Sequence, residues 1–150
     1  MSSRREAWDR PAPEIARSET RGGVARFFAE LERAGAHPGE EEVHGLRVSI
    51  RRFSQALRIF APLLPAKAVK RIRARMKAVL GAAAAARDLD VGMEELTGLG
   101  VGAEDPLIAG MRAERRRAEF FLLGQIYLLR AEDLEADWRA WLGWNGEAAG

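Results

Sequence analysis

The sequence predicts an all-α fold, a four-helix bundle with long antiparallel helices, on three observations. Apolar residues recur at the period of a helix. Val24, Phe27, Phe28 and Leu31 stand at i, i+3, i+4 and i+7, and Leu46, Ile50, Phe53, Leu57, Phe60 and Leu64 hold a helical spacing over five turns. No stretch alternates apolar and polar residues as a half-buried strand does. Proline and glycine gather between the apolar stripes, at His37-Pro38-Gly39, at Pro62 and Pro65, and from Thr97 to Glu104. A chain of 150 residues, 47% hydrophobic and 31% charged, makes one domain able to bury a core.

Each element has its own reason. Residues 1–14 read as a flexible lead, because Pro11 and Pro13 oppose regular structure, residues 15–143 as the helical domain, and residues 144–150 as a flexible tail. The first helix extends to about Ala34, is weakened at Gly22-Gly23 and is stopped by Gly35. The second opens on Glu40-Glu41-Glu42, three carboxylates at the positive end of the helix dipole, and reaches about Ala61 before Pro62 and Pro65 close it. A third runs from about Ala66 to Ala86 with Val69, Ile72, Met76, Val79, Leu80 and Ala83 inward. Asp88 or Asp90 then reads as the N-cap of a short helix to about Leu96. Asp105-Pro106 reads as N-cap and first residue of a last helical region, which breaks near Gly124 and resumes through Leu134, Trp138, Trp141 and Leu142.

Charge is segregated along the chain. Of 24 lysines and arginines, eleven lie between Val43 and Arg87, a stretch without a single Asp or Glu; the remaining 13 share the chain with all 22 acidic residues. A near-neutral protein is thus divided into a +11 block and a −9 remainder, and such asymmetry points to a polyanionic partner. At 100° per residue, His44, Arg47, Arg51, Gln55 and Arg58 fall within an arc of about 80° beside the apolar stripe of the second helix. On the third helix Lys70, Arg73 and Lys77 flank one side of the apolar face and Lys67, Arg71 and Arg75 the other. Cations that border a buried seam can line a groove between helices.

The inventory for catalysis is thin. There are two histidines, one tyrosine, no cysteine, and no metalloprotease, P-loop, hydrolase-elbow or dinucleotide motif. Asp88 and Asp90 stand where carboxylates more often cap a helix than hold Mg²⁺, and the expectation is no metal, no cofactor and no enzyme. His44 heads the Arg47/Arg51 stripe, where it can donate to an anion and respond to pH. The N-terminus lacks the apolar core of a signal peptide and no apolar run approaches a membrane span, so a cytoplasmic protein without membrane association is expected.

His44-Gly45-Leu46-Arg47-Val48-Ser49-Ile50-Arg51-Arg52, then Leu57-Arg58-Ile59-Phe60, then the Arg71–Lys77 helix running into Ala86-Arg87-Asp88-Leu89-Asp90-Val91, resembles the CHAD family, the conserved histidine α-helical domain. The resemblance implies a helical bundle that binds inorganic polyphosphate on a basic, histidine-containing surface and performs no catalysis itself, which would bring the protein to polyphosphate granules. Carried over residue by residue, it implies His44, Arg47, Arg51 and Arg52 on the second helix, Arg73 and Lys77 on the third, and Arg87 after it. Together with Arg58 and Lys70 from the charge stripes, these are the expected site. Gly45 stands where the family usually has a polar or acidic residue, and Arg75 where an acidic one is common. Family domains pair two such bundles, whereas this chain supplies one.

Other polyanions are distinguished by their chemistry. Single-strand nucleic-acid binders interleave stacking aromatics with their cations. Between Val43 and Arg87 the only aromatics are Phe53 and Phe60, both on the apolar stripe, which favours a phosphate chain over nucleic acid. An acidic protein docking on the basic face is a further alternative. Finally, Phe120, Phe121, Leu122 and Leu123 in succession exceed what one helical stripe buries, and Trp138, Trp141 and Trp144 are of the kind enriched at interfaces. The expectation is a two-fold homodimer that rebuilds a two-bundle arrangement, with the second-helix cations of both subunits facing a shared cleft.

Overall fold

A computed structural model describes residues 12–143, and its regular structure is all helical, with no strand among the described residues. Helix α1 spans Ala12–Ala36, α2 Glu40–Ile59, α3 Ala66–Gly98, α4 Pro106–Ala131 and α5 Leu134–Trp141, with a 3₁₀ turn at Ala61–Leu63 between α2 and α3. The expected flexible lead lies outside the described residues up to Pro11; Pro13 falls within the first turn of α1, where a missing N–H costs nothing. The expected tail, 144–150 with Trp144, also lies outside them.

The helices pack in chain order, α1 on α2, α2 on α3 and α3 on α4, and α1 is shared with both α4 and α5. The predicted stripes point inward: Val24, Phe27 and Leu31 from α1, Leu46, Ile50, Phe53 and Leu57 from α2, and Val69, Ile72, Met76 and Val79 from α3 are all buried. Two buried hydroxyls satisfy themselves locally, Thr20 donating to the Ala16 carbonyl and Ser49 to that of Leu46, both at 2.7 Å.

Four local expectations are corrected, three of them by a long-range contact. Gly22-Gly23 does not interrupt α1, because Gly23 is a packing point: a Cβ there would meet Cδ2 of Phe53 at 2.5 Å, so the ring of α2 rests on bare backbone. Neither Asp88 nor Asp90 starts a new helix, since α3 runs unbroken for 33 residues, about 50 Å. Asp90 instead accepts from Nε of Arg115 at 2.9 Å, and that arginine also donates from Nη2 to the Pro38 carbonyl at 2.9 Å. At the start of α4 the predicted cap holds: Asp105 accepts from the Leu107 N–H at 2.9 Å, with Pro106 at the head of the helix. The last helix passes straight through Gly124 and breaks at Asp133, which takes the left-handed conformation, φ 46° and ψ 46°.

The fourth correction concerns Trp138, expected at an interface. It is fully buried, stacked on Phe27 with 5.3 Å between centroids and 7° between planes, and met edge-on by Phe28 at 5.0 Å. Helix α5 folds back to place it there, and closes the core with Leu134 and Leu142. Trp141 is half-buried beneath the Arg71 guanidinium, 4.2 Å from its ring centroid. Among the described residues no helix is long and apolar enough to cross a membrane.

Candidate functional site

The site grows from the seam between α2 and α3. Four small residues, Ser54, Ala61, Ala66 and Ala74, are among those lining this seam, and an open groove remains there. One section, near the 3₁₀ turn, has a volume of about 630 Å³, with Ile50, Val69 and Leu80 in its floor and Lys70, Arg73 and Lys77 on its α3 wall. The adjoining section, about 490 Å³, is lined by Arg47, Arg51, Gln55 and Arg58 from α2. Ser54, Arg73 and Leu80 belong to both, so the two sections form one continuous groove.

Its walls follow from helical register. Arg47, Arg51, Ser54 and Arg58 recur at three- and four-residue steps on α2, one helical face. Lys70, Arg73 and Lys77 do the same on α3. No acidic residue lines either section. Among the described residues none of these six cations forms an ion pair, whereas Arg33, Arg75, Arg87, Arg115 and Arg139 all do. Lys70 and Lys77 are exposed and line the groove together with its apolar residues, so keeping their charged ends in water costs little desolvation. Nε of Arg47 is buried and has no hydrogen-bond partner. Six cations over one groove repel one another, and an anion between the walls relieves that repulsion.

The expected residues separate into groups. Arg47, Arg51, Arg58, Lys70, Arg73 and Lys77 come together in the groove. His44 is exposed one turn before Arg47, and Arg52 is exposed next to Arg51, but neither lines the groove. Arg87 is committed elsewhere: its Nη1 lies 3.1 Å from Oε1 of Glu40 and ties α3 to the first turn of α2. The other flank of α3 is likewise engaged, Arg71 over Trp141 and Arg75 with Glu132 at 3.0 Å. Gly45 has a packing reason, since a Cβ there would fall 2.6 Å from Oε2 of Glu30 on α1.

Ser54 was missed by the sequence reading although its position, three after Arg51 and four before Arg58, places it in the middle of the cationic face. The Asp90–Arg115 pair, 25 residues apart, left no local signal at all. No group of three or more histidines and carboxylates among the described residues is placed to hold a metal ion.

An all-helical domain whose two middle helices share an acid-free cationic groove is the class defined so far. Residues 19–150 match the family of the CHAD domain, and the chain belongs to that family. Domains of this family are associated in general with polyphosphate binding and are generally binding domains rather than enzymes. No curated protein matches the chain, and no solved structure does.

Proposed function

We propose that this protein binds inorganic polyphosphate, without turning it over, in the groove between α2 and α3. The observation that carries the reading is the facing of Arg47, Arg51 and Arg58 against Lys70, Arg73 and Lys77 across one acid-free groove. A linear phosphate chain offers repeated charge and no base or sugar edge, so a closely spaced array of cations is all its recognition needs. Arginine forks take paired oxygens and lysines neutralise as point charges. Ser54 and Gln55 add neutral donors between the charges. His44 and Arg52 extend the basic surface beyond the groove, and Arg87 serves the fold.

Neighbour-on-neighbour packing of the four long helices, joined by short turns, supports reading them as an antiparallel four-helix bundle that α5 closes. The binding role fits a cytoplasmic protein that works where polyphosphate accumulates. The expected homodimer is a separate proposal about assembly, and the ligand reading does not depend on it. No aromatic side chain lines the groove, which disfavours single-stranded nucleic acid.

Competition tests the proposal. Long-chain polyphosphate, poly(U), heparin and an acidic polypeptide are titrated against one labelled polyphosphate at two salt concentrations. Polyphosphate should win at equal charge, and free phosphate should not accumulate. Tighter binding of poly(U) or of the polypeptide would transfer the groove to those partners, and released phosphate would make the protein an enzyme.

A further inference from the structure

We propose that the exposed face of α4 is a self-association surface, which takes the α4 of a second copy of this chain antiparallel to it with Gly124 at the two-fold axis. Phe120, Phe121, Tyr127 and Leu128 are 80%, 59%, 72% and 55% exposed. On a helix all four point within about 60° of the Gly124 direction, so they form one strip. Apolar groups retaining this much exposure come to on the order of 500 Å² per copy. Single-chain proteins seldom leave more than a few hundred Å² of contiguous apolar surface uncovered.

The strip is nearly palindromic about Gly124: large apolar residues stand four and three positions before it and three and four after it. Under an antiparallel two-fold, a residue k places before Gly124 meets the partner's residue k places after it. Phe120 then packs on the partner's Leu128 and Phe121 on the partner's Tyr127, and each contact is made twice. Two copies bury on the order of 1,000 Å² in total, the lower bound for a specific interface.

Two further features select this occupant and this direction. Nothing lies within 4 Å of a Cβ built at Gly124, so the glycine serves no packing purpose within one copy. At a crossing it lets two helix axes approach closely. Gly35 of α1, also without a side chain, leaves a groove of about 760 Å³ beside the strip, floored by Ile126 and flanked by Phe120 and Tyr127, with room for a partner's ring. Charge sets the direction. Arg117, seven residues before Gly124, comes against the end of the partner's helix, where the free carbonyls carry negative charge; Glu132 there is already paired with Arg75 of its own copy, and Arg130 stands beside it. A parallel pairing would set the two Arg117 side chains together.

No residue of the strip lines the α2–α3 groove, so the dimer is independent of the ligand reading. Each copy then keeps its own groove, in place of the shared cleft expected from the sequence.

Sedimentation of the full chain without ligand, from about 1 to 100 μM, tests the proposal. A reversible dimer is expected. Gly124→Leu should weaken it at least tenfold with helicity and melting temperature undiminished, because leucine favours a helix and has open space in one copy. The chain has no cysteine, so Gly124→Cys places a single thiol at the axis. Helix axes about 8–10 Å apart bring the two facing Cα atoms within disulfide range. Gly124→Cys should therefore cross-link on mild oxidation, and the exposed Gly98→Cys should not. A monomer across the whole range, a dimer undiminished by Gly124→Leu, or cross-linking at Gly98 but not at Gly124 would each overturn it.

Discussion

Arg115 on α4 and Asp90 on α3 form an inward-facing ion pair, Nε to Oδ1 at 2.9 Å, with side chains only 12% and 11% exposed. The same guanidinium reaches the Pro38 carbonyl at 2.9 Å, so one side chain joins α3, α4 and the α1–α2 turn. Removing the cation leaves a carboxylate largely cut off from water, with Oδ2 already lacking a partner. Arg115→Ala should therefore cost about 3 kcal/mol of stability, well above an exposed pair. Chemical denaturation checks the value. The double variant with Asp90→Ala should lose less than the sum of the two single losses, because the stranded charge is gone.

Adjacent glycines on α1 should respond with opposite sign to the same substitution. A Cβ at Gly22 meets nothing within 4 Å, so Gly22→Ala should stabilise by up to about 1 kcal/mol through helix propensity alone. At Gly23 the same methyl meets the Phe53 ring at 2.5 Å. Displacing a packed ring costs about 1–3 kcal/mol and outweighs the propensity gain, so Gly23→Ala should destabilise. Thermal melts of the two variants side by side decide it.

Charge reversal separates groove from surface. Arg51→Glu or Arg73→Glu should weaken polyphosphate binding at least tenfold with melting little changed, because neither cation is ion-paired in the fold. Arg33→Glu and Arg139→Glu, which lie off the groove in i,i+3 and i,i+4 pairs with Glu30 and Glu135, should change affinity only slightly. Equal losses for all four would replace a groove with a diffuse field. Six engaged cations predict a slope of log K against log salt of about −4.

Arg87 and Ser54 test the reassigned residues. Arg87→Ala removes an ion pair whose side chains are 24% and 57% exposed, which should cost no more than about 1 kcal/mol and leave affinity nearly intact. Ser54→Glu places a carboxylate between the two cationic walls and should abolish binding without unfolding the chain, since the side chain opens into the groove. A titration of each variant against labelled polyphosphate reads both outcomes.

What the sequence determined by itself was periodic or contiguous. The helical class, the inward stripes of α1, α2 and α3, the Asp105-Pro106 start and the cationic faces of α2 and α3 all follow from spacing along a single helix. Six of the nine expected site residues share the groove because each wall lies on one helix, where register alone decides the facing. Most of what the spacing misreads depends on a second element. Asp90 looks like a cap until Arg115, 25 residues later, is brought beside it. Gly23 looks like a weak point until Phe53 lies on it, and Trp138 like a surface aromatic until α5 folds back onto Phe27. A propensity or a stripe is local, so the chain displays it directly. Which glycine bears a ring, which arginine is already paired and which tryptophan is core are properties of contacts between distant segments, and packing alone decides them.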